Sequence, residues 1–369
     1  MNAAFRAPSA AIALGLLAAA ASRSTAHGQQ ASTPAPTPAP VAPVSPAPTA
    51  TPPTANGAPM EPRIVERGLT DDDPVDGLDV PLHPGDRARP PQQPPFSLGA
   101  GYIHQFDAGI GDGGTMAVDR FYASFSSRLV TTDDFTLTLA MGYENGWYHW
   151  SGNNPLGVAE PWGTVNLFGL QARGSWRVDR EWVVTAGGIF ALAGESDADA
   201  GSSIYGGGLA SVSWAPNQDT VLGIGVLGVT QIENNPIVIP VPVLHWRFAP
   251  EWVVSTIRRP PASPFVGIDV AWEPEGSKLD VALGVGWQQR RFRLGPNSDP
   301  TIDNGVGLDQ SWAAFLSAGW DIVPGLRVDG LVGLQFSETL ELQDSSGRSQ
   351  RNASVDPNAL LGVFVTWNF

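Results

Sequence analysis

The sequence predicts an all-β fold, a transmembrane antiparallel up-and-down β-barrel of about 14 strands, with a range of about 12 to 16. Apolar residues recur at every second position in stretches of about ten residues, which is the period of a strand. The opposite face of these stretches is rich in glycine and charged residues, and short turns alternate with longer polar connections. A soluble sandwich would need its apolar face packed between two sheets. A membrane barrel instead turns that face to lipid and the polar face to a lumen.

The N-terminus has the pattern of a secretory signal peptide. Arg6 supplies the positive charge, residues 10–21 are an apolar run, and Ser24-Thr25-Ala26 offers small residues for cleavage. The apolar run has roughly a dozen residues, whereas a membrane-spanning helix needs about 20. We therefore predict a signal peptide at residues 1–26.

Residues 27–95 have the composition of a disordered, Pro-rich linker. They contain 18 prolines among Ala, Thr and Ser, so they can bury little and favour extended polyproline II. The acidic stretch Asp71-Asp72-Asp73-Pro74-Val75-Asp76 lies in this linker. We interpret it as a solvated run, because an unstructured carboxylate cluster is not preorganised for a metal ion.

The barrel is expected at residues 96–369. Leu279, Val281, Leu283, Val285 and Trp287 share one face of the clearest strand, opposite a face that includes Asp280. The predicted strands are residues 96–106, 115–129, 134–148, 162–178, 181–193, 203–215, 219–232, 237–248, 251–258, 264–273, 277–292, 310–322, 325–340 and 357–369. Fourteen strands is an even number, as closure of a single chain requires with both ends on one side.

Two features refine this interpretation. Tryptophans that lie beside short turns indicate an aromatic girdle at the membrane interface, namely Trp182, Trp252, Trp272 and Trp320. Pro240 and Pro242 cannot donate to a ladder, so they predict a bulge, an unpaired stretch near the rim, or a later start of the strand at 237–248.

The connections differ in length on the two sides of the predicted barrel. Short ones are residues 178–181, 215–218, 249–251, 273–276 and 323–325, and longer polar ones are residues 150–161, 194–201, 295–309 and 344–357. Short turns on the periplasmic side and long loops outside are typical of outer-membrane barrels.

The C-terminal strand carries a family resemblance. Apolar or aromatic residues stand at every second position up to a terminal phenylalanine, at Leu361, Val363, Val365, Trp367 and Phe369. This strand resembles the terminal strand of bacterial outer-membrane β-barrel proteins. The resemblance implies a Gram-negative outer membrane, lipid contact, recognition by the barrel assembly machinery and a linker in the periplasm. Residues 240–259 resemble a family of predicted outer-membrane barrels of unknown function, which has no activity to carry over.

Composition excludes several functions. The chain has no cysteine, which removes disulfide frameworks, thiolate metal sites and cysteine nucleophiles. The formal net charge of −15 argues against nucleic acid as a partner, because non-specific affinity for phosphates comes from clustered Lys and Arg. We predict no cofactor, no metal and no nucleic-acid partner.

Catalytic signals are weak, and we predict that the protein is not an enzyme, with no catalytic residue. The barrel region contains His104, His149 and His245, but no G-x-S-x-G stretch accompanies them. We interpret His245 as a lumen residue and His149 as an interfacial or loop residue. Asp-rich loops at 107–112, 197–199 and 299–309 could bind calcium, but none has the twelve-residue spacing, and we interpret them as ordinary surface loops.

The lumen is the most informative candidate site. The alternation points eight charged side chains inward, and we predict that they line a pore: Arg128, Arg173, Arg177, Arg247, Asp269, Asp280, Arg327 and Asp329. Such a lining would create a transverse field across an aqueous passage. Alternatively, arginine and carboxylate pairs fill the interior, as in narrow barrels.

The predicted function is therefore a porin-like, passive pore for ions or small solutes. The alternative is a structural or anchoring barrel with a filled lumen, whose Pro-rich arm contacts periplasmic or cell-wall partners. A third hypothesis, an embedded hydrolase, requires a serine within hydrogen-bond reach of a barrel histidine.

Overall fold

The computed structural model describes residues 95–111, 113–153, 155–217, 219–256 and 265–369. The predicted signal peptide and almost all of the predicted linker lie outside these ranges. The described residues form strands and a single turn of 3-10 helix at Gly201–Ser203. No helix among them is long and apolar enough to cross a membrane.

Fifteen strand segments follow one another along the chain. The first eight are β1 (Phe96–Ile110), β2 (Gly114–Thr131), β3 (Phe135–Gly152), β4 (Thr164–Arg177), β5 (Trp182–Glu195), β6 (Ile204–Asn217), β7 (Thr220–Gln231) and β8 (Asn234–Ala249). The others are β9 (Trp252–Thr256), β10 (Val266–Trp272), β11 (Leu279–Arg293), β12 (Val306–Val323), β13 (Leu326–Gln343), β14 (Ser349–Val355) and β15 (Asn358–Asn368).

The strands form a closed antiparallel barrel. Each strand from β1 to β13 pairs with the next, and β15 closes the sheet by pairing with both β13 and β1. Segment β14 pairs with the same two strands, so β14 and β15 are one barrel strand interrupted at Asp356 and Pro357. Because proline has no N–H to donate, an interruption at Pro357 is expected. The barrel therefore has 14 strands, which confirms the predicted number.

The two ends of the barrel differ. The short-turn end carries Pro95, Phe369 and turns such as residues 324–325 between β12 and β13. The long-loop end carries the connections at 153–163, 196–203 and 294–305.

The prediction of a loop at residues 344–357 is wrong for most of that range. Ser349–Val355 forms β14, and only residues 344–348 connect it to β13. Ser349, Gln350, Arg351 and Asn352 are polar on both faces of the strand, so the alternation that reveals a lipid-facing strand is missing.

The outer surface of the barrel is apolar, with aromatic side chains collected at the short-turn end. Outward-facing, exposed rings at that end are Phe96, Trp176, Trp182, Trp214, Trp246, Trp252, Trp272, Trp320, Trp367 and Phe369. The four tryptophans predicted to form a girdle are among them. An apolar outer band edged by aromatic side chains is the surface expected of a barrel surrounded by lipid.

The two prolines of β8 lie where the strand has one described neighbour. Pro240 and Pro242 pair with β7 opposite Val226 and Ile224. On the other side, the described pairing with β9 begins at His245. The strand begins at Asn234, so the predicted alternative of a start later than residue 237 is wrong, and the predictions of a bulge or an unpaired stretch at the prolines stay predictions, since residues 257–264 lie outside the described ranges.

Glycines let large inward-facing rings lie flat against the wall. A Cβ added at Gly284 on β11 would lie 2.7 Å from the ring of Phe315 on β12. Gly101 on β1 makes the same room for the ring of Phe364 on β15. Both rings are buried, so this part of the wall is covered from inside.

Candidate functional site: the barrel lumen

The lumen is filled unevenly around its circumference. Inward side chains on β11, β12, β13 and β15 are buried, including Asp280, Ala282, Gln288, Ala313, Phe315, Ser317, Leu331, Leu360, Phe364 and Thr366. Several inward side chains on β3 to β6 and on β8 keep accessible surface, namely Thr138, Gln171, Arg173, Ile189, Leu209, Ser211, Ile237 and Val241, whereas those of Leu227 and Val229 on β7 are buried. We call the first sector the filled side and the second the open side. The free space of the lumen therefore lies against β3 to β8.

All eight charged residues predicted for the lumen lie on the inward face of their strands. Three of them form an arginine row near the short-turn end, consisting of Arg128 on β2 and Arg173 and Arg177 on β4. Arg128 and Arg173 both pair in register with Thr138 on β3, so the row crosses three neighbouring strands.

The predicted carboxylates lie in a different sector, on β10 to β13. Arg327 donates from Nη2 to Asp280 Oδ1 and to Asp329 Oδ1, both at 2.8 Å. Asp269 accepts a hydrogen bond from Ser255 at 2.5 Å. Arg247 lies apart from this cluster and donates to Glu273 at 2.6 Å. The arginine row and the carboxylates thus lie in different sectors of the wall, with Arg327 paired among the carboxylates, and the role of these residues as a pore lining stays a prediction.

A second charged cluster, which we call the polar layer, was missed by the sequence analysis. Its members are Gln105, Arg120, Tyr122, Glu144, Tyr148, Gln288, Arg290, Asp309 and Glu338, all nearly inaccessible to solvent. It lies on the inner faces of β1 to β3 and β11 to β13.

Hydrogen bonds of the polar layer cross the barrel interior. Arg120 donates to Asp309 at 2.9 Å and to Gln105 at 2.9 Å. Tyr148 donates to Asp309 at 2.7 Å, and Arg290 on β11 pairs with Glu144 on β3. Seven strands, β4 to β10, lie between β3 and β11 on one side of the closed sheet and five barrel strands lie between them on the other, so this last ion pair is a chord across the lumen. The chord separates the filled side from the open side.

One sector of the inner face contradicts the expectation of a glycine-rich, charged lining. Inward side chains on β5 to β8 are aliphatic and include Ile189, Leu209, Leu227, Val229, Ile237, Ile239, Val241 and Val243. Outward residues of the same strands, such as Ile224 and Val226, are also apolar. This sector of the inner face is therefore largely aliphatic, with Ile189, Leu209, Ile237 and Val241 partly accessible, and Arg247 on β8 is the predicted charged residue within it.

An apolar cluster closes the interior at the long-loop end. Trp162, Leu294 and Ile302 from the connecting loops pack with Phe292 and other inward residues of the strand ends. Trp162 meets Phe292 edge to face, with centroids 5.3 Å apart. At the same end, Arg293 of β11 makes a parallel bridge to Gly194 of β5 on the far side of the barrel. This apolar cap covers the mouth between the long loops.

Two of the three barrel histidines share one carboxylate on the outer face. His104 and His149 lie on the outer face, where both hydrogen-bond the carboxylate of Asp119 at 2.7 and 2.9 Å. Ser151 bonds Thr115 instead. In the described part of the chain, the side-chain hydrogen bonds of these two imidazoles go to Asp119 and not to a serine. His245 lies on the inward face of β8, as interpreted from the sequence.

The C-terminal strand presents its predicted signal residues outward. Leu361, Val363, Val365, Trp367 and Phe369 are exposed on the outer face. Phe96 and Phe369 exchange backbone hydrogen bonds of 3.1 and 2.9 Å. The strand therefore closes the barrel and presents apolar side chains on its outer face. Recognition of this strand by the barrel assembly machinery stays a prediction.

One acidic loop residue has a clear structural partner. Asp299, in the loop 294–305, accepts hydrogen bonds from Thr301 and from Arg351 of β14, the latter at 2.6 Å. These interactions lower the pKa of Asp299 to about 2. In the ranges that the structure describes, no group of three or more His, Asp or Glu side chains could hold a metal ion.

Solved structures with a similar architecture are bacterial outer-membrane barrels. An outer-membrane channel from Pseudomonas putida F1 is 11% identical, with a TM-score of 0.43 over 80% of this chain and 99% of that one. The toluene transporter TodX from Pseudomonas putida is 10% identical, with a TM-score of 0.37 over 76% and 90%. The transport unit of the autotransporter AIDA-I from Escherichia coli is 12% identical, with a TM-score of 0.34 over 77% and 93%.

These similarities are too low to define the function of the chain. No model of a known protein family matches the sequence, and no curated protein matches it.

Proposed function

We propose that the protein is a passive channel of the bacterial outer membrane for ions or small solutes. The observation that carries this proposal is the accessible surface of several inward side chains on β3 to β6 and on β8, beside an interior that is otherwise packed. Side chains such as Gln171 and Ser211 face inward and keep accessible surface, so a passage follows the open side. The apolar outer surface and aromatic girdle place the barrel in a membrane.

The channel is narrow and asymmetric. The polar layer removes much of the cross-section, and the apolar cap covers the long-loop end, so passage requires the cap to move. Along the open side, a solute meets aliphatic side chains on β5 to β8 and the arginine row on β2 and β4. Small solutes with an apolar portion fit this wall better than large hydrated ones, because the aliphatic surface offers them no competing hydrogen bonds.

Topology and assembly follow from the same proposal. The short-turn end faces the periplasm, the N-terminal arm lies there, and the barrel assembly machinery inserts the chain through its C-terminal strand. The proposed barrel acts without a cofactor, without nucleic acid and not as an enzyme.

Single-channel recording of the refolded full-length protein in a planar bilayer tests this function. We expect small conductance steps whose selectivity changes when Arg173 is replaced by Glu, because Arg173 lies on the open side. The matched control is Arg348→Glu, which makes the same charge change at an exposed residue in the connection between β13 and β14. Absence of steps from protein shown to be inserted would reject the channel.

A second candidate is an anchoring barrel with a filled lumen. The buried polar layer and the apolar cap favour it, since both resemble the interior of a barrel that passes nothing. In that case, deletion of residues 27–94 abolishes attachment to periplasmic or cell-wall partners, while the barrel still assembles and no form conducts.

A further inference from the structure

One carboxylate joins two loops of the apolar cap. Glu195 is the last residue of β5 and stands on the inward face of that strand, in the same alternation as Ala191 and Ala193. Its Oε1 accepts a hydrogen bond from the backbone N–H of Gly163, and its Oε2 accepts one from the backbone N–H of Gly295, both at 2.9 Å. A single side chain therefore holds the backbone of two different connections at the long-loop end.

The two hydrogen bonds fix the backbone directly beside the cap. Gly163 follows Trp162, and Gly295 follows Leu294, and both of these apolar side chains are buried in the apolar cap. Hydrogen bonds from backbone N–H groups to a carboxylate are stronger than those to a neutral acceptor. Each bond therefore limits how far the neighbouring cap residue can move.

The loops that Glu195 joins come from distant parts of the barrel wall. Residues 155–163 lead into β4, which neighbours β5, whereas residues 294–305 follow β11. Five strands, β6 to β10, lie between β5 and β11 on the shorter side of the closed sheet. The parallel bridge between Arg293 and Gly194 lies next to Glu195. The contact between β5 and β11 thus spans the mouth of the lumen.

The connection between β5 and β6 lies against the loop that follows β11. A Cβ added at Gly295 would lie 2.6 Å from Cγ of Asp197. Arg293 donates to the backbone carbonyl oxygens of Ser202 and Asn304, at 3.1 and 2.9 Å, and so ties the same two connections together. The connections at the mouth are therefore held to one another as well as to their own strands.

We propose that Glu195 is the latch of a single gate at the long-loop end, in which residues 155–163 and 294–305 open and close together. When both hydrogen bonds are made, the apolar cap covers the mouth. When they break, Trp162 and Leu294 withdraw together and the passage opens at this end. The control of conductance rests on the proposed channel function. The coupling between the two loops does not, because it is a property of the cap itself.

Hydrogen exchange of the full-length protein in detergent, read by mass spectrometry, tests the latch without any transport assay. Glu195→Ala removes both acceptor oxygens, so the amides of both loops should exchange several-fold faster than in the wild type, and by similar factors. The matched control is Glu160→Ala, which removes an exposed carboxylate from the connection 155–163 and should leave both loops protected. Unchanged exchange in Glu195→Ala, or faster exchange in one loop only, would overturn the latch.

A reversible cross-link separates coupling of the loops from a local loss of hydrogen bonds. The protein has no cysteine, and Asp197→Cys with Gly295→Cys places two thiols close to the separation that a disulfide needs. The disulfide restrains residues 294–305 directly and does not touch residues 155–163. Slower exchange in residues 155–163, reversed when the same protein is reduced, is the result expected of a single gate. Protection confined to residues 294–305 would mean two independent loops and would overturn the proposal.

Bilayer recording then connects the gate to conductance. Glu195→Ala should raise the fraction of time spent open several-fold, and the oxidised double-cysteine protein should show no openings until it is reduced. Coupled exchange with silent bilayers in every form would retain the latch and reject the channel. Conductance steps that ignore both changes, with independent exchange of the two loops, would retain the channel and reject the latch.

Discussion

Arg120 on β2 donates a 2.9 Å hydrogen bond to Asp309 on β12 in the interior of the barrel, and the two side chains are 2% and 0% exposed. This ion pair belongs to the polar layer that fills one side of the lumen. The remaining free space is displaced toward β3 to β8, and the proposed passage follows from that displacement.

Removing the charge of Arg120 should lower the free energy of unfolding far more than removing the charge of Glu338. Arg120→Met leaves Asp309 and Glu144 buried with one cation fewer, and removal of one partner from a buried pair costs about 3 to 5 kcal/mol. Glu338→Gln should change the free energy of unfolding by less than about 1 kcal/mol, because Glu338 Oε1 and Asp309 Oδ1 have no hydrogen-bond partner among the described residues and the glutamine amide can donate to Asp309. Urea unfolding in detergent measures both. A larger loss for Glu338→Gln than for Arg120→Met would contradict this account of the layer.

The glycines that accommodate aromatic rings should not tolerate a side chain. Gly101→Ala pushes a methyl group into the ring of Phe364 and should cost about 1 to 3 kcal/mol. Gly330→Ala on β13 is the control, because a Cβ there has nothing within 4 Å. The unfolding midpoint of each variant is the measurement. Equal midpoints would show that the Phe364 ring can move aside to accommodate a methyl group at Gly101.

The apolar cap should limit the passage of ions through the long-loop end of the barrel. Trp162 is 1% exposed, and Trp162→Ala should lower stability by about 3 to 5 kcal/mol. The same variant should raise conductance, since the ring lies in the loop cluster over the mouth. Trp214→Ala, at the exposed rim of the other end, should leave conductance unchanged. An increase with Trp214→Ala but not with Trp162→Ala would place the barrier elsewhere.

The anchor between Asp299 and Arg351 should persist to strongly acidic pH. Hydrogen bonds from Thr301 and Arg351 lower the pKa of Asp299 to about 2, below its unfolded value. A group with a lowered pKa stabilises the fold above its unfolded pKa of about 4, and that contribution is lost as the pH falls through about 2. Exchange of the Thr301 amide hydrogen should therefore stay slow down to about pH 3 and become fast at every pH in Asp299→Ala, which removes the acceptor oxygen. Loss of protection of the Thr301 amide near pH 4 in the wild type would show that the pKa of Asp299 is not lowered.

The C-terminal strand should govern assembly more than final stability. Phe369→Ala removes the ring that stacks on Phe96, with centroids 5.7 Å apart, and removes the terminal aromatic residue of the predicted signal. We expect slower insertion into membranes, measured as the fraction with heat-modifiable migration on a gel. Leu279→Ala, another exposed apolar residue at the same end, is the control and should insert at the wild-type rate.

The strands could be predicted because each carries its own signal. Period-two alternation and turn residues act within about ten positions, so strands such as 326–343 and 279–293 are visible without tertiary knowledge. Segment β14 was missed because Arg351 and its neighbours are polar on both faces. The apolar run Ile237-Val238-Ile239 could have indicated the aliphatic inner wall, since it lacks the polar face of a charged lumen.

The polar layer could not be predicted from local pattern. Glu144 and Arg290 are separated by 146 residues, and their pairing depends on how the barrel is filled rather than on either strand. Arg290 was visible as an inward charge once β11 was in register, but its partner was not. The arginine row was found because Arg173 and Arg177 stand on one face of a single predicted strand.

Single-cysteine labelling combined with bilayer recording tests the uneven lumen most directly. Ser211→Cys places a thiol on the inward face of the open side, and Ser317→Cys places one on the inward face of the filled side, where Ser317 is 2% exposed. A charged, water-soluble thiol reagent should lower the current of Ser211→Cys and leave Ser317→Cys unchanged. Modification of Ser317→Cys with loss of current, while Ser211→Cys stays inert, would contradict a passage along β3 to β8.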